Sequence, residues 1–233
     1  MVDSLRSLND PRIEIYAELP EAVVASHTED ELDTFAERLE FYRGQTNGRT
    51  VADAPFAQIS MLGDWFMRPE TPAPLMTAAE VYFLRAEAAA RGFTSESAAA
   101  MYEAGIRASL SYYGVPTVAQ NEYLAQGRVA FPTAGTQDEQ VAAIQMQKWI
   151  HLFDNGPEAY AEVRRTDAPS LRVVPNPHSS AGGLFPGGFA YPASEQSVND
   201  ANRQAACARP TNSNCLSIQR LLWWDVDRDA DID

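Results

Sequence analysis

Three Thr-x-x-Glu boxes, Thr28/Glu31, Thr77/Glu80 and Thr136/Glu139, constrain this chain more than any other feature of its sequence. In such a box the threonine oxygen accepts from the amide three residues on, and the glutamate reaches back to the threonine amide. Two donors that every helix start leaves orphaned are thereby satisfied. Each box predicts a helix. The first predicts one over residues 29–42, with Leu32, Phe35, Ala36 and Leu39 on one face and a stop near Gly44. The second predicts 78–91, closed by Gly92, and the third predicts 137–153.

A further helix over about 95–113, closed by Gly114 and Pro116, follows the second at once. The two form a helical hairpin over about 78–113. Ala79, Ala86, Ala90, Ala100, Ala104 and Ala108 permit close approach of its axes, and Tyr82, Phe83, Tyr102 and Ile106 supply the larger knobs. The repeat length is that of a tetratricopeptide unit, without its full consensus. Asn155-Gly156-Pro157 turns the chain into a short helix over 158–165, and Ser194 caps another over 195–206. Residues 167–190 are rich in Pro, Gly and Ser and predict a long surface loop. Strand signals are sparse. The expected fold class is mainly α, with long irregular loops and little β.

Charge excludes one class of partner. Eighteen Lys and Arg stand against 32 Asp and Glu, a formal charge of −14, and no basic patch interrupts that field, so nucleic acid is not expected as a ligand. No apolar run approaches the ~20 residues of a membrane-spanning helix. Cys207 and Cys215 lie eight positions apart in a polar stretch; in an oxidising compartment they suit a disulfide, and elsewhere two free thiols.

Catalytic and metal signatures are missing. Glu80/Glu87 and Glu158/Glu162 each share a helix face, so they point in parallel rather than across a sugar as a glycosidase requires, and are expected as helix-surface or capping carboxylates. His27, His151 and His178 lack the i, i+4 spacing of a zinc pair, and His151, on an apolar helix, is expected to be packed and hydrogen-bonded. Neither a P-loop nor a nucleophile elbow occurs. Asp225, Asp227, Asp229, Asp231 and Asp233 alternate like the first ligands of a calcium loop, but Ala230 stands where that loop wants glycine, so residues 226–233 are expected as a solvated acidic tail. No enzyme activity, cofactor or metal is expected.

Several stretches, in order, resemble the SusD/RagB family of outer-membrane nutrient-binding lipoproteins, in particular its SusD-like branch. They are Pro74-Leu75-Met76-Thr77-Ala78-Ala79-Glu80-Val81-Tyr82-Phe83-Leu84-Arg85-Ala86-Glu87-Ala88, Gln147-Lys148-Trp149-Ile150-His151-Leu152-Phe153 and Glu158-Ala159-Tyr160-Ala161-Glu162-Val163-Arg164-Arg165-Thr166. Tyr191-Pro192-Ala193-Ser194-Glu195 with Asn199, Trp223-Trp224-Asp225 and, upstream, Asp10-Pro11-Arg12 complete the set. Gly187-Gly188 departs from the family, which often carries a basic residue there. The resemblance implies a helical fold with tetratricopeptide-like pairs, a surface position at the outer membrane, and capture of an oligosaccharide or peptide for a TonB-dependent, SusC-like transporter. It covers what corresponds to the C-terminal portion of such a protein across 1–233; the signal peptide, lipidation cysteine and first helix pairs of the family have no counterpart in this sequence. The rival expectation is a tetratricopeptide-type scaffold that binds only protein.

Loops on a rigid helical scaffold are where ligand contacts are expected. Trp65, Phe66 and Arg68 give two rings and a forked donor within one short loop, while Tyr42 and Arg43 sit at a helix end. These five are the candidate ligand-binding residues, with Trp65 first, because sugar C–H faces stack on rings and polar neighbours bind hydroxyls.

Overall fold

A computed structural model describes residues 1–46, 52–171, 186 and 189–208. The expectations about Cys215, His178, the Trp223-Trp224-Asp225 ending, the acidic tail and most of the 167–190 loop lie outside these residues. The described residues are mainly helical, with no strand and one isolated antiparallel bridge, Ala17 to Leu62. The helices are α1 (Val2–Leu8), α2 (Ile13–Tyr16), α3 (Glu21–Ser26), α4 (Phe35–Leu39), α5 (Ala78–Ala90), α6 (Ala98–Tyr112), α7 (Thr117–Leu124), α8 (Gln137–His151), α9 (Gly156–Thr166), α10 (Ala193–Val198) and α11 (Asp200–Cys207). One compact unit comprises Met1–Gln45 and Ala52–Tyr160, and a second contains the described residues 161–171 and 189–208.

In the first unit α5 packs against both α6 and α8. Its stripe Ala79, Phe83 and Ala86 meets Tyr102, Ile106 and Leu110 of α6 and Ile144 of α8, and every one of these side chains is buried. The spacing by three and four is what a helix needs to bring one face to a core. Close approach is secured at Gly105, where a Cβ would fall 2.7 Å from the Phe83 ring. Tyr82 and Ala100, expected in that interface, lie outside it: Tyr82 is half-buried under the Arg85 guanidinium, and Ala100 is exposed.

The third box forms as expected, with Thr136 and Glu139 capping α8 reciprocally. The second is reduced to its threonine, which accepts from the Glu80 amide while Glu80 itself is buried. The first box forms but does not start a long helix. It caps a 3-10 turn, Glu29–Leu32, after which Thr34 and Glu37 make a second reciprocal box that restarts the chain as α4. A threonine in extended conformation mid-segment ends one helix by capping the next. The expected helix over 195–206 divides in the same way at Asn199, which leaves helical geometry and precedes α11. The helix expected from residue 95 starts at Ala98, with Ser97 as its cap. Helices α1, α2, α3 and α7 carry no strong sequence signal and were not expected.

Candidate functional site

Arg12 is the largest fully buried side chain of the first unit, and its charge is answered residue by residue. Asn9, in left-handed conformation, ends α1, and the next residue, Asp10, accepts from the Arg12 amide and clamps its guanidinium in a two-pronged pair at 2.9 and 2.5 Å. The remaining fork donates to Ser109 Oγ on α6 at 2.8 Å and to Gln147 Oε1 on α8 at 2.7 Å, and Gln147 in turn donates to the Tyr123 hydroxyl. Burial works against the Arg12 charge; the Asp10 carboxylate outweighs it and leaves the guanidinium more basic than usual. Asp10-Pro11-Arg12 and Gln147 through His151 are therefore two halves of one internal polar box.

His151 continues the box outward. Arg12 can only donate, so Ser109 Oγ accepts from it and its own proton is left for His151 Nδ1, 3.0 Å away. The ring proton then sits on Nε2 and is donated to Thr77 Oγ1 at 2.6 Å. Burial, with the positive charges of Arg12 and Lys148, lowers the His151 pKa to about 3 and keeps the ring neutral. The Ser109–His151 pair is the geometry of an activated nucleophile without its access: Ser109 is fully buried, so no acyl donor reaches it.

Of the two carboxylate pairs expected on helix surfaces, Glu80 and Glu87 are inside, whereas Glu158 is exposed and Glu162 partly so. Glu80 and Glu87 are each 5% exposed, and Glu87 accepts from Gln145 at 2.7 Å and from Arg91 at 2.8 Å. Helical spacing to Phe83 and Ala86 places them on the packed face, which the parallel orientation alone did not reveal. Among the described residues no group of three acidic, His or Cys side chains is arranged to hold a metal ion.

The loop between α4 and α5 is the open part of this unit. Its anchor is Gly63, whose amide donates to the Tyr16 carbonyl and where a Cβ would fall 1.9 Å from the Ile15 carbonyl oxygen, so only glycine lets the loop lie this close to α2. Glu18 accepts from the Asp64 amide and starts the 3-10 turn Asp64–Met67. Half-buried Trp65 packs edge-on to Phe66 and Tyr113, and Phe66 packs edge-on to Tyr16 and Phe153. Tyr42 belongs to the same apolar cluster and is 3% exposed.

Four of the five sequence candidates divide between two grooves. Phe66 and Arg68 line one of about 810 Å³, together with Leu75, Phe153, Asp154, Asn155 and Glu158. Tyr42 and Arg43 line another of about 570 Å³, with Arg6, Glu40 and Asp53. Trp65 lines neither and stands behind Phe66. The 153–158 wall of the larger groove was not expected; Asn155-Gly156-Pro157 signalled a turn, and in the structure Asn155 Oδ1 accepts from the Glu158 amide at the start of α9. Partial burial raises the Asp154 carboxyl above its ordinary range.

The class these observations define is a mainly helical scaffold built around a tetratricopeptide-like pair, with grooves on the connecting loops of the described residues. The chain belongs to the SusD-like family described as starch-binding and associating with the outer membrane, whose model matches residues 1–192. A SusD homologue from Bacteroides fragilis NCTC 9343 is 29% identical with a TM-score of 0.80, over 96% of this chain and 50% of that one. A SusD homologue from Bacteroides vulgatus ATCC 8482 is 28% identical with a TM-score of 0.75, over 97% of this chain and 48% of that one. A chitin-binding protein is 25% identical with a TM-score of 0.67, over 97% and 48%. The chain spans about half the length of these structures. No curated protein matches it in sequence.

Proposed function

We propose that this chain is the nutrient-binding portion of a surface lipoprotein that captures an oligosaccharide and passes it, unaltered, to a TonB-dependent outer-membrane transporter. The observation that carries this reading is the family match over residues 1–192, a family described as starch-binding. The breadth of that match, well beyond the helix pair, disfavours a scaffold that binds protein alone. Phe66 supplies the stacking face and Arg68 the forked donor, Trp65 holds the Phe66 ring in place, and Tyr42 with Arg43 borders the neighbouring groove. An aromatic beside convergent polar groups is what a sugar with one apolar and one hydroxylated face requires. A non-catalytic role fits the buried Ser109 and the neutral His151.

The test has two parts. Purified protein is exposed to an oligosaccharide array, where retention of at least one glycan without hydrolysis is expected; retention of peptides only, or release of shorter sugars, overturns the reading. Affinity purification of the tagged full-length protein from its own outer membranes is expected to bring down a TonB-dependent transporter, and its absence removes the hand-over step.

A further inference from the structure

The larger groove carries an imbalance of charge with a consequence for its cargo. Two carboxylates, Asp154 and Glu158, and one amide, Asn155, face a single cation, Arg68, around the aromatic corner formed by Phe66 and Phe153. The rings meet edge to face at 5.2 Å, so the corner is apolar on two sides. Among the described residues no ion pair neutralises Asp154, Glu158 or Arg68. The whole chain adds to the same sign, at −14.

A sugar hydroxyl both donates and accepts. It can therefore give a proton to Asp154 or Glu158 and take one from Arg68 or Asn155, leaving every groove group satisfied. A uronate or sulfate group only accepts. It can use Arg68 and Asn155, but it leaves both carboxylates facing a like charge in the same groove, a repulsion that salt weakens. Resting on the reading that this loop holds a glycan, we propose that the groove selects neutral oligosaccharides, N-acetylated ones included, and rejects acidic ones, with Asp154 and Glu158 as the rejecting residues. Specificity of this kind comes from a repulsive element built against the wrong ligand rather than from added attraction to the right one.

The experiment compares neutral, N-acetylated, uronate and sulfated oligosaccharides on wild type and on the double variant Asp154→Asn/Glu158→Gln, with thermal melts confirming that the variant is folded. Asp154 lies just before α9 and Glu158 in its first turn, and neither residue is buried, so the fold is expected to survive. Wild type is expected to retain neutral chains only. The double variant is expected to bind neutral chains several-fold more weakly and to gain about tenfold or more for uronate chains at low salt, an effect that shrinks as salt is raised. If wild type holds uronate chains as tightly as neutral chains of the same length, the inference fails while glycan binding stands. If neutral chains bind and neither the double variant nor Phe66→Ala changes that, the ligand lies elsewhere and the inference fails. If no glycan of any charge is retained, the underlying reading fails, and the inference with it.

Discussion

The polar box around Arg12 and the groove beside Phe66 are neighbours built on opposite terms. The box gathers Asp10, Arg12, Ser109, Gln147 and His151, the residues a search for chemistry would seize on, and buries all of them. The groove is walled largely by rings, prolines and leucine, yet it is the part open to solvent. Conspicuous chemistry in this chain holds the fold together, and the surface proposed to meet a ligand is made of unremarkable loop residues. A charged side chain in the interior is tolerated only when each donor has an acceptor, and a box that meets this condition has nothing left over for a substrate.

Arg12→Met breaks the box most severely. Asp10 is left as a buried carboxylate without its partner, and a loss of about 3–5 kcal/mol in urea unfolding is expected, partly recovered by adding Asp10→Leu. A loss below ~1 kcal/mol would mean that water reaches Asp10 and that the two regions are less different than described.

Acid tests the outer end of the box. His151 has a folded pKa of about 3 against ~6.5 in an unfolded chain, so the unfolded state binds the extra proton between those values. The stability contributed by the neutral ring is present above pH ~6.5 and declines as pH falls toward 3, by about 2–3 kcal/mol between pH 7 and 4.5. His151→Gln is expected to flatten that part of the pH profile. Equal slopes in wild type and variant would show that carboxylates alone govern acid unfolding.

The groove responds differently. Trp65→Ala removes the ring that braces Phe66 and is expected to cost about 2 kcal/mol of stability while also weakening glycan retention, because a half-buried ring loses packing on both counts. Unchanged stability would move Trp65 from support to direct contact. Arg68→Ala, at a residue that is exposed and in no ion pair among the described residues, is expected to leave the melting temperature within the effect of ~0.5 kcal/mol and to lower glycan affinity severalfold by calorimetry.

The helical character was legible because caps and periodic stripes are local: the boxes at Thr77 and Thr136 and the stripe Ala79, Phe83 and Ala86 act within one helix and its neighbour. The break at Thr34 was hidden because the same threonine fits a helix interior or a cap, and the apolar spacing through Phe35 and Leu39 continued across it. Burial of Glu80 and Glu87 was hidden because it depends on Gln145 of α8, 58 residues from Glu87. Of the candidate ligand residues, the loop holding Trp65, Phe66 and Arg68 was legible as one unit. Its pairing with Asp154 and Glu158 was not, since that wall arrives from the far end of α8.

Gly63 and Thr77 have one more implication. The first fastens the loop to α2 and the second fastens the start of α5 to His151, so the chain between them begins and ends at fixed points. Beyond the packed rings of Trp65 and Phe66, insertions in that interval are borne by the loop and not passed to the helices, since lengthening a loop whose ends are already held costs little. The interval works as an exchangeable cassette: its sequence can be rewritten between two clasps while the frame that carries it keeps its shape.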